Sequence, residues 1–348
     1  MKEIAILFVL SVLFVSCVKN HDKPVGTFLS GNGVFILNEG NFVGGAGSLS
    51  FYSYDSARIY NDLFENINGW PIGSVPNSMK LKDVNGYIVV NNSNKIEIIN
   101  KNTLESVKTI NGLNSPRNIS FVDNVKAYVT SEYSDSVIII NLSENTISGY
   151  INLRRYSEAI VTTGGKSYIT NWVEPNFVSG KEVMVVNTSS NQVVDSIEVG
   201  FEPESIVVDK NNMIWVLCNG GYLRNNSAEL IGINSLTDKI EKRLVFFTKQ
   251  ESPTCLQIDG TGEMLYFLDS GVRQMKITDT ELPATAFIPE SGHSFYKLGI
   301  NPVNGDIFVT DPIDYQQKGS VLYFKKEGSF VSSQIADIIP SSMCFKLN

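Results

Sequence analysis

The sequence predicts an all-β fold, a seven-bladed β-propeller whose blade one is closed by the C-terminal strand. Three observations carry this expectation. The stretch 201–246 reads as a complete four-stranded unit, with a loop at Pro203, strands at 205–209, 213–218, 229–234 and 240–246, and turns at Lys210-Asn211-Asn212 and Asn219-Gly220-Gly221. The position three residues before its first core aliphatic recurs as Pro76, Pro116, Ser157, Pro203, Pro253, Phe295 and Pro340, in steps of 40, 41, 46, 50, 42 and 45 residues. That is the interval at which four-stranded blades repeat. Finally, only three strands precede Pro76, and Pro340 is followed by a single strand, 341–347, so one blade is shared between the two ends and no edge is left open.

The units follow in order. Blade one takes strands at 33–38, 48–54 and 57–63. Blade two runs from Pro76 through 86–90, 95–100 and 105–110; blade three takes 118–122, 125–130, 136–141 and 146–151. Blade four has 159–163 and 166–170, a long loop 171–181, then 182–187 and 193–199; blade five is the opening stretch. Blade six has 254–259, 263–269, 274–278 and 284–288, and blade seven 296–301, 306–311, 319–325 and 330–335. Inner strands such as Ser205-Ile206-Val207-Val208 are nearly all apolar because neighbouring blades cover both faces, whereas outer ones such as Lys239-Ile240-Glu241-Lys242-Arg243-Leu244 carry charge on the wet side. Asn85-Gly86, Gly164-Gly165 and Asn304-Gly305 supply the positive φ of tight hairpins. No long amphipathic helix is expected.

Net charge is −8 with no basic stripe, which disfavours nucleic acid as a partner. His21 and His293 are the only histidines, too few for His-built metal or triad chemistry. Cys218, Cys255 and Cys344 sit on or beside inner strands at scattered spacing, as small buried residues rather than a disulfide or metal framework. There is no nucleophile elbow, phosphate loop or HExxH helix, so no catalytic residue is assigned.

Lys2 and the apolar run 4–15, ending at Leu13-Phe14-Val15-Ser16-Cys17, form a targeting segment too short for a comfortable span. The small residue before Cys17 resembles a bacterial lipobox. This divides the chain into a signal peptide at 1–16, a lipidated tether at 17–30 that begins at Cys17, and a propeller at 31–348. An ordinary secretory signal or an uncleaved anchor are the alternatives.

Ala127-Tyr128-Val129-Thr130, Tyr168-Ile169-Thr170-Asn171 and Ile307-Phe308-Val309-Thr310 resemble the second-strand signature of YVTN or YncE-like propellers. Leu37-Asn38-Glu39-Gly40-Asn41-Phe42, Val89-Val90-Asn91-Asn92-Ser93, Ser115-Pro116-Arg117-Asn118-Ile119, the run 311–317 from Asp311-Pro312 and the ending 338–347 are similar to the BtuG-type surface lipoproteins of gut bacteria, over about residues 31–348. That resemblance implies a non-enzymatic protein, lipid-anchored at the outer membrane and facing the cell exterior. It would bind cobalamin and other corrinoids as transported ligand, not cofactor, and pass them to a TonB-dependent outer-membrane receptor of the BtuB type. The membrane would be touched only through the lipid. A glycan- or protein-binding propeller without corrinoid affinity is the competing expectation.

In rings of this kind the loops from second to third strands and those entering each inner strand gather around one mouth. They place Asn41, Phe42, Asn92, Tyr133, Trp172, Tyr222, Asp314 and Tyr315 there from the first set, and Trp70, Arg117, Tyr156, Phe201 and Tyr296 from the second. Asn94, Phe177, Asn219 and Asp311 lie in the same loops. Aromatic faces pack on a corrin ring while amides, Asp and Arg bond its amide rim. The same residues also serve as packing between blades, Arg117 as partner of a carboxylate, and Asn219-Gly220-Gly221 as a plain turn. Asp311 with Asp314 as a calcium site, and His293 as a metal ligand, each lack further spaced ligands.

Overall fold

The structure, a computed structural model, describes residues 26–41 and 44–347. The lipobox, Cys17 and Phe42 lie outside these residues.

Seven four-stranded antiparallel sheets stand in a ring. Blade one is built from Gly33–Asn38, Ser48–Ser53 and Arg58–Tyr60, with Pro340–Lys346 as its inner strand, paired Gly33 to Lys346 and Asn38 to Pro340. The expected closure is therefore present. Seven apolar clusters hold the ring among the described residues, one at each blade junction. The cluster of Trp215, Leu217 and Leu230 with Leu256, Leu265 and Phe267, for example, joins blades five and six. A blade thus buries its faces only against its two neighbours, and the ring is the folding unit.

The recurrent anchor has a physical cause. Val75, Ser115, Glu202 and Ile339, each just before an anchor proline, hold φ between 41 and 54°. Their carbonyls accept the backbone N–H of Asn91, Glu132, Asn219 and Glu39, the residue that follows the second strand of the same blade. Proline suits the next position because the sheet register breaks there, at Pro76/Ser78 and Pro203/Ser205, and no ladder donor is needed. The tyrosine of the YVTN-like strand is structural as well. Tyr87, Tyr128 and Tyr168 donate to Asn145, Asn191 and Asp238 at 3.0, 2.5 and 2.6 Å, each in the outer turn of the following blade.

Several elements differ from the sequence expectation. The loop expected at 171–181 is mostly hairpin: strands Lys166–Glu174 and Val178–Asn187 extend past the other blades and are joined by the short turn Pro175–Phe177. Pro175, Asn176 and Gly180 are loop residues in the sequence and hid this, because an extension beyond the blade interface follows no apolar pattern. The strand expected at 57–63 is only Arg58–Tyr60, and Leu63–Asn68 is a helix that buries Leu63, Phe64 and Ile67. Blade six has an outer strand of two residues, Ile288–Pro289. Within the segment assigned to the tether, residues 26–30 lie against the ring, with Phe28 stacked on Tyr60 at 3.9 Å and Leu29 buried.

Where blade seven meets blade one, Asp62 hydrogen-bonds Asp337, with Lys318 Nζ 3.4 Å from Asp337. That bond between carboxyls, together with burial, pushes Asp62 from its ordinary 3.8 up to about 6; burial works against the charge on Asp337 too, but the same bond, with Ser48 and Lys318, holds Asp337 down. A raised folded value means that folding takes up a proton. The stabilisation is fully present below the ordinary value and is lost as pH rises through about 6. The melting midpoint of Asp62→Asn should therefore depend less on pH between 5 and 7.5 than that of the unmodified protein, by about 1–2 °C, since Asp62 is half exposed and screened. Parallel melts of the two proteins across that range check this.

Candidate ligand-binding rim and channel mouth

The two faces of the ring differ. Tight turns between first and second and between third and fourth strands make up one, the turn face. The other, the rim face, carries the second-to-third loops and the segments that enter the inner strands. Trp70, Tyr133, Phe177, Tyr222, Phe247 and Tyr315 all stand on the rim face, and they are six of the eight exposed aromatic side chains among the described residues. Phe177 and Tyr222 are each 84% exposed.

Below the rim the inner strands enclose a central channel of about 700 Å³. Its walls include Ile160, Val207, Leu256 and Met343, and its titratable residues are stepped in depth, with Cys255 and Lys297 two residues after their anchors. Arg117, Glu158 and Glu204 follow their anchors by one residue and sit near the mouth; Lys80 and Cys344 follow theirs by four and lie deeper. Arg117 is the hub of the mouth. Its Nε and Nη2 donate to the two Glu158 oxygens at 2.7 and 2.9 Å, and Nη1 lies 3.5 Å from Glu132. Burial works against the charge on Arg117, but Glu158 more than restores it, so the guanidinium stays protonated.

Glu204 accepts the Ser205 hydroxyl at 2.5 Å and the Cys255 N–H at 2.6 Å, and burial pushes its carboxyl up while Lys297 pulls it back. Lys297 stands 5.1 Å over the ring of Tyr296. Burial pushes the Cys255 thiol up, and its Sγ lies 3.5 Å from the Tyr296 carbonyl, so it is no thiolate nucleophile. Lys80 is open to the channel yet ringed by protein, and that enclosure pushes its ammonium down.

The residues expected at the mouth divide into groups. Tyr133 and Tyr156 meet edge to face at 6.1 Å, beside the Arg117 cluster. Tyr296 and Tyr315 meet likewise at 5.6 Å, and the Tyr296 hydroxyl donates to Glu39 at 3.0 Å. Trp70 packs its edge on Phe64, and Trp172 buries an indole N–H that has no protein acceptor. Asn41, Asn92 and Tyr222 are exposed and Phe201 is half-buried, without ring contacts to these pairs. Asp314 caps its own turn, accepting Gln316 and Gln317 N–H at 2.9 Å each, bonds that hold its carboxyl low. Asp311 is spent on His293 Nδ1 at 2.7 Å and on the Ile313 N–H, and no group of three metal-ligating side chains forms among the described residues. Gly220 and Gly221, at φ 87 and 89°, form a turn.

Missing from the sequence reading were Glu39, Glu132, Glu158, Glu204, Lys297 and the rim residue Phe247. A signal existed: the residue after each anchor is Asn77, Arg117, Glu158, Glu204, Thr254, Tyr296 or Ser341, never aliphatic, as a position facing a wet channel requires.

A family described as a domain of unknown function, DUF5074, matches residues 32–333. The chain belongs to the DUF5074 family. Among solved structures, this DUF5074 propeller is similar to a quinonprotein alcohol dehydrogenase-like protein from Bacteroides thetaiotaomicron, at 15% identity and TM-score 0.70, over 91% of this chain and 78% of that one. It also resembles a protein from Bacteroides uniformis provisionally named a 6-phosphogluconolactonase, at 10% identity and TM-score 0.66, over 90% and 99%. Virginiamycin B lyase from Staphylococcus aureus follows at 13% and 0.59, over 74% and 83%. At these identities the likeness shows the propeller fold alone. The comparison with curated proteins finds no match.

Proposed function

We propose that this DUF5074 propeller is a non-enzymatic, lipid-anchored protein of the outer-membrane surface that captures cobalamin and related corrinoids on its rim and passes them to a TonB-dependent receptor of the BtuB type. The observation that carries the reading is the gathering of exposed aromatics on a single face around a wide, polar mouth. A broad ligand with apolar faces and an amide rim suits such a surface, and a rigid ring lowers the ordering cost of binding it. The chain direction adds support. Strand Gly33–Asn38 runs from the turn face to the rim, and Lys346 at the turn-face end of the last strand donates to the Leu29 carbonyl. An anchor at Cys17 would therefore tether the turn face and leave the rim pointing away from the lipid. Charged groups at the mouth are paired with one another and the Cys255 thiol is held neutral, which favours binding over turnover.

Calorimetry and absorbance titration of the purified protein with cyanocobalamin test the proposal. The expected result is saturable 1:1 binding below micromolar Kd, weakened at least about ten-fold by Trp70→Ala together with Tyr315→Ala. Neither heat nor a spectral shift at micromolar protein would sink it and leave a glycan or protein as the guest of this rim.

A further inference from the structure

Beside the channel mouth, the rim carries a second, smaller concavity between blades three and four, of about 120 Å³, lined by Tyr133, Tyr156, Val173, Glu174 and Phe177. Pockets that enclose whole drug-sized ligands run to roughly 300–1,000 Å³. This one holds a single group, not a corrin or a sugar ring. Phe177 sits at the tip of the extended hairpin with φ 59° and its ring 84% in water. A bulky aromatic in the left-handed region, unburied, does nothing for folding and points to a contact made with something else.

The charges around the cleft leave a negative excess. Arg155 Nε bridges Glu174 and Glu182, both at 2.8 Å, and Arg117 bridges Glu158 at 2.7 Å and Glu132 at 3.5 Å. Four carboxylates thus share two guanidinium groups. Burial pushes Glu174 and Glu132 up against the pull of Arg155 and Arg117, and burial with Glu132 pushes up the Tyr133 hydroxyl too.

We propose that this cleft binds one cationic head group, an alkylammonium or quaternary ammonium, against the rings of Tyr133, Tyr156 and Phe177 with the Glu174 carboxylate behind it. Aromatic faces attract a cation through their quadrupole, and an ammonium whose hydrogens are replaced by alkyl groups gives up its water at small cost, whereas a primary ammonium is strongly hydrated. The cleft shares Tyr133 and Phe177 with the aromatic rim, but a head group bound in it needs no corrinoid.

Choline and its uncharged isostere 3,3-dimethylbutan-1-ol, titrated at constant ionic strength and followed by tyrosine fluorescence and ligand-observed NMR, separate charge from shape. Saturable choline binding, with the alcohol at least about five-fold weaker and Phe177→Ala about five-fold weaker for choline at an unchanged melting midpoint, is the expected result. Glu174→Gln should weaken choline as well. Equal binding of the alcohol, an unaffected Phe177→Ala variant, or no saturable choline signal up to tens of millimolar would each overturn the proposal. Cyanocobalamin titrated into the same samples keeps the two sites apart: corrinoid without choline removes only the cleft, and choline without corrinoid removes only the rim function.

Discussion

Truncation before Pro340 is expected to abolish the cooperative fold rather than merely weaken it. The strand Pro340–Lys346 is the inner strand of blade one, and its loss removes one full ladder to Gly33–Asn38. It also removes Met343 and Phe345 from the junction of blades seven and one, and the buried Lys346 ammonium that donates to Leu29 and Gly31 carbonyls. The exposed edge would then be Gly33-Val34-Phe35-Ile36-Leu37-Asn38, in which every residue is buried in the intact ring. Such an apolar edge pairs with other chains. The loss is on the order of 5 kcal/mol or more, comparable to the whole stability of a typical domain. Soluble yield and the thermal transition by circular dichroism report it, and addition of a synthetic peptide spanning 339–348 should restore both in part. A monodisperse truncated protein with an unshifted melt would show that blade one closes without its inner strand.

This closure was legible in the sequence because it depends on local pattern repeated many times. Pro76, Pro116, Pro203 and Pro340 mark the same backbone turn, and a turn that recurs for one geometric reason leaves one residue signature. The extended hairpin at Lys166–Glu174 and Val178–Asn187 left none, since strands beyond the blade contacts are held by backbone hydrogen bonds that any side chain allows. The rim was legible as composition, Tyr and Trp in predictable loops, but not as geometry. Which of them meet, Tyr133 with Tyr156 and Tyr296 with Tyr315, depends on how neighbouring blades are rotated. The carboxylates around Arg117 were hidden for a similar reason, as Glu132 and Glu158 come from a loop and an adjacent blade.

Arg117 is expected to act as the organiser of the mouth, and its removal should cost far more than a surface ion pair. Arg117→Ala leaves Glu158 and Glu132, with side chains only 12% and 15% exposed, facing one another without a cation. Breaking a largely buried pair from one side costs about 3–5 kcal/mol, because the stranded charge has already lost its water. The double variant Arg117→Leu with Glu158→Leu removes the closer pair together and leaves Glu132 facing no second carboxylate, so it should recover most of that loss. The pH dependence gives a further signature. Burial already pushes Glu132 up, and Arg117 is the first charge that pulls it back down. Without Arg117 its folded value rises further above the unfolded one, so the variant takes up a proton on folding and gains stability as pH falls from 8 toward 5. Urea midpoints at those two pH values should therefore converge with those of the unmodified protein on the acid side. A penalty that stays constant between them, or a double variant no more stable than Arg117→Ala, would mean that Arg117 serves a bound ligand and not the framework of the rim.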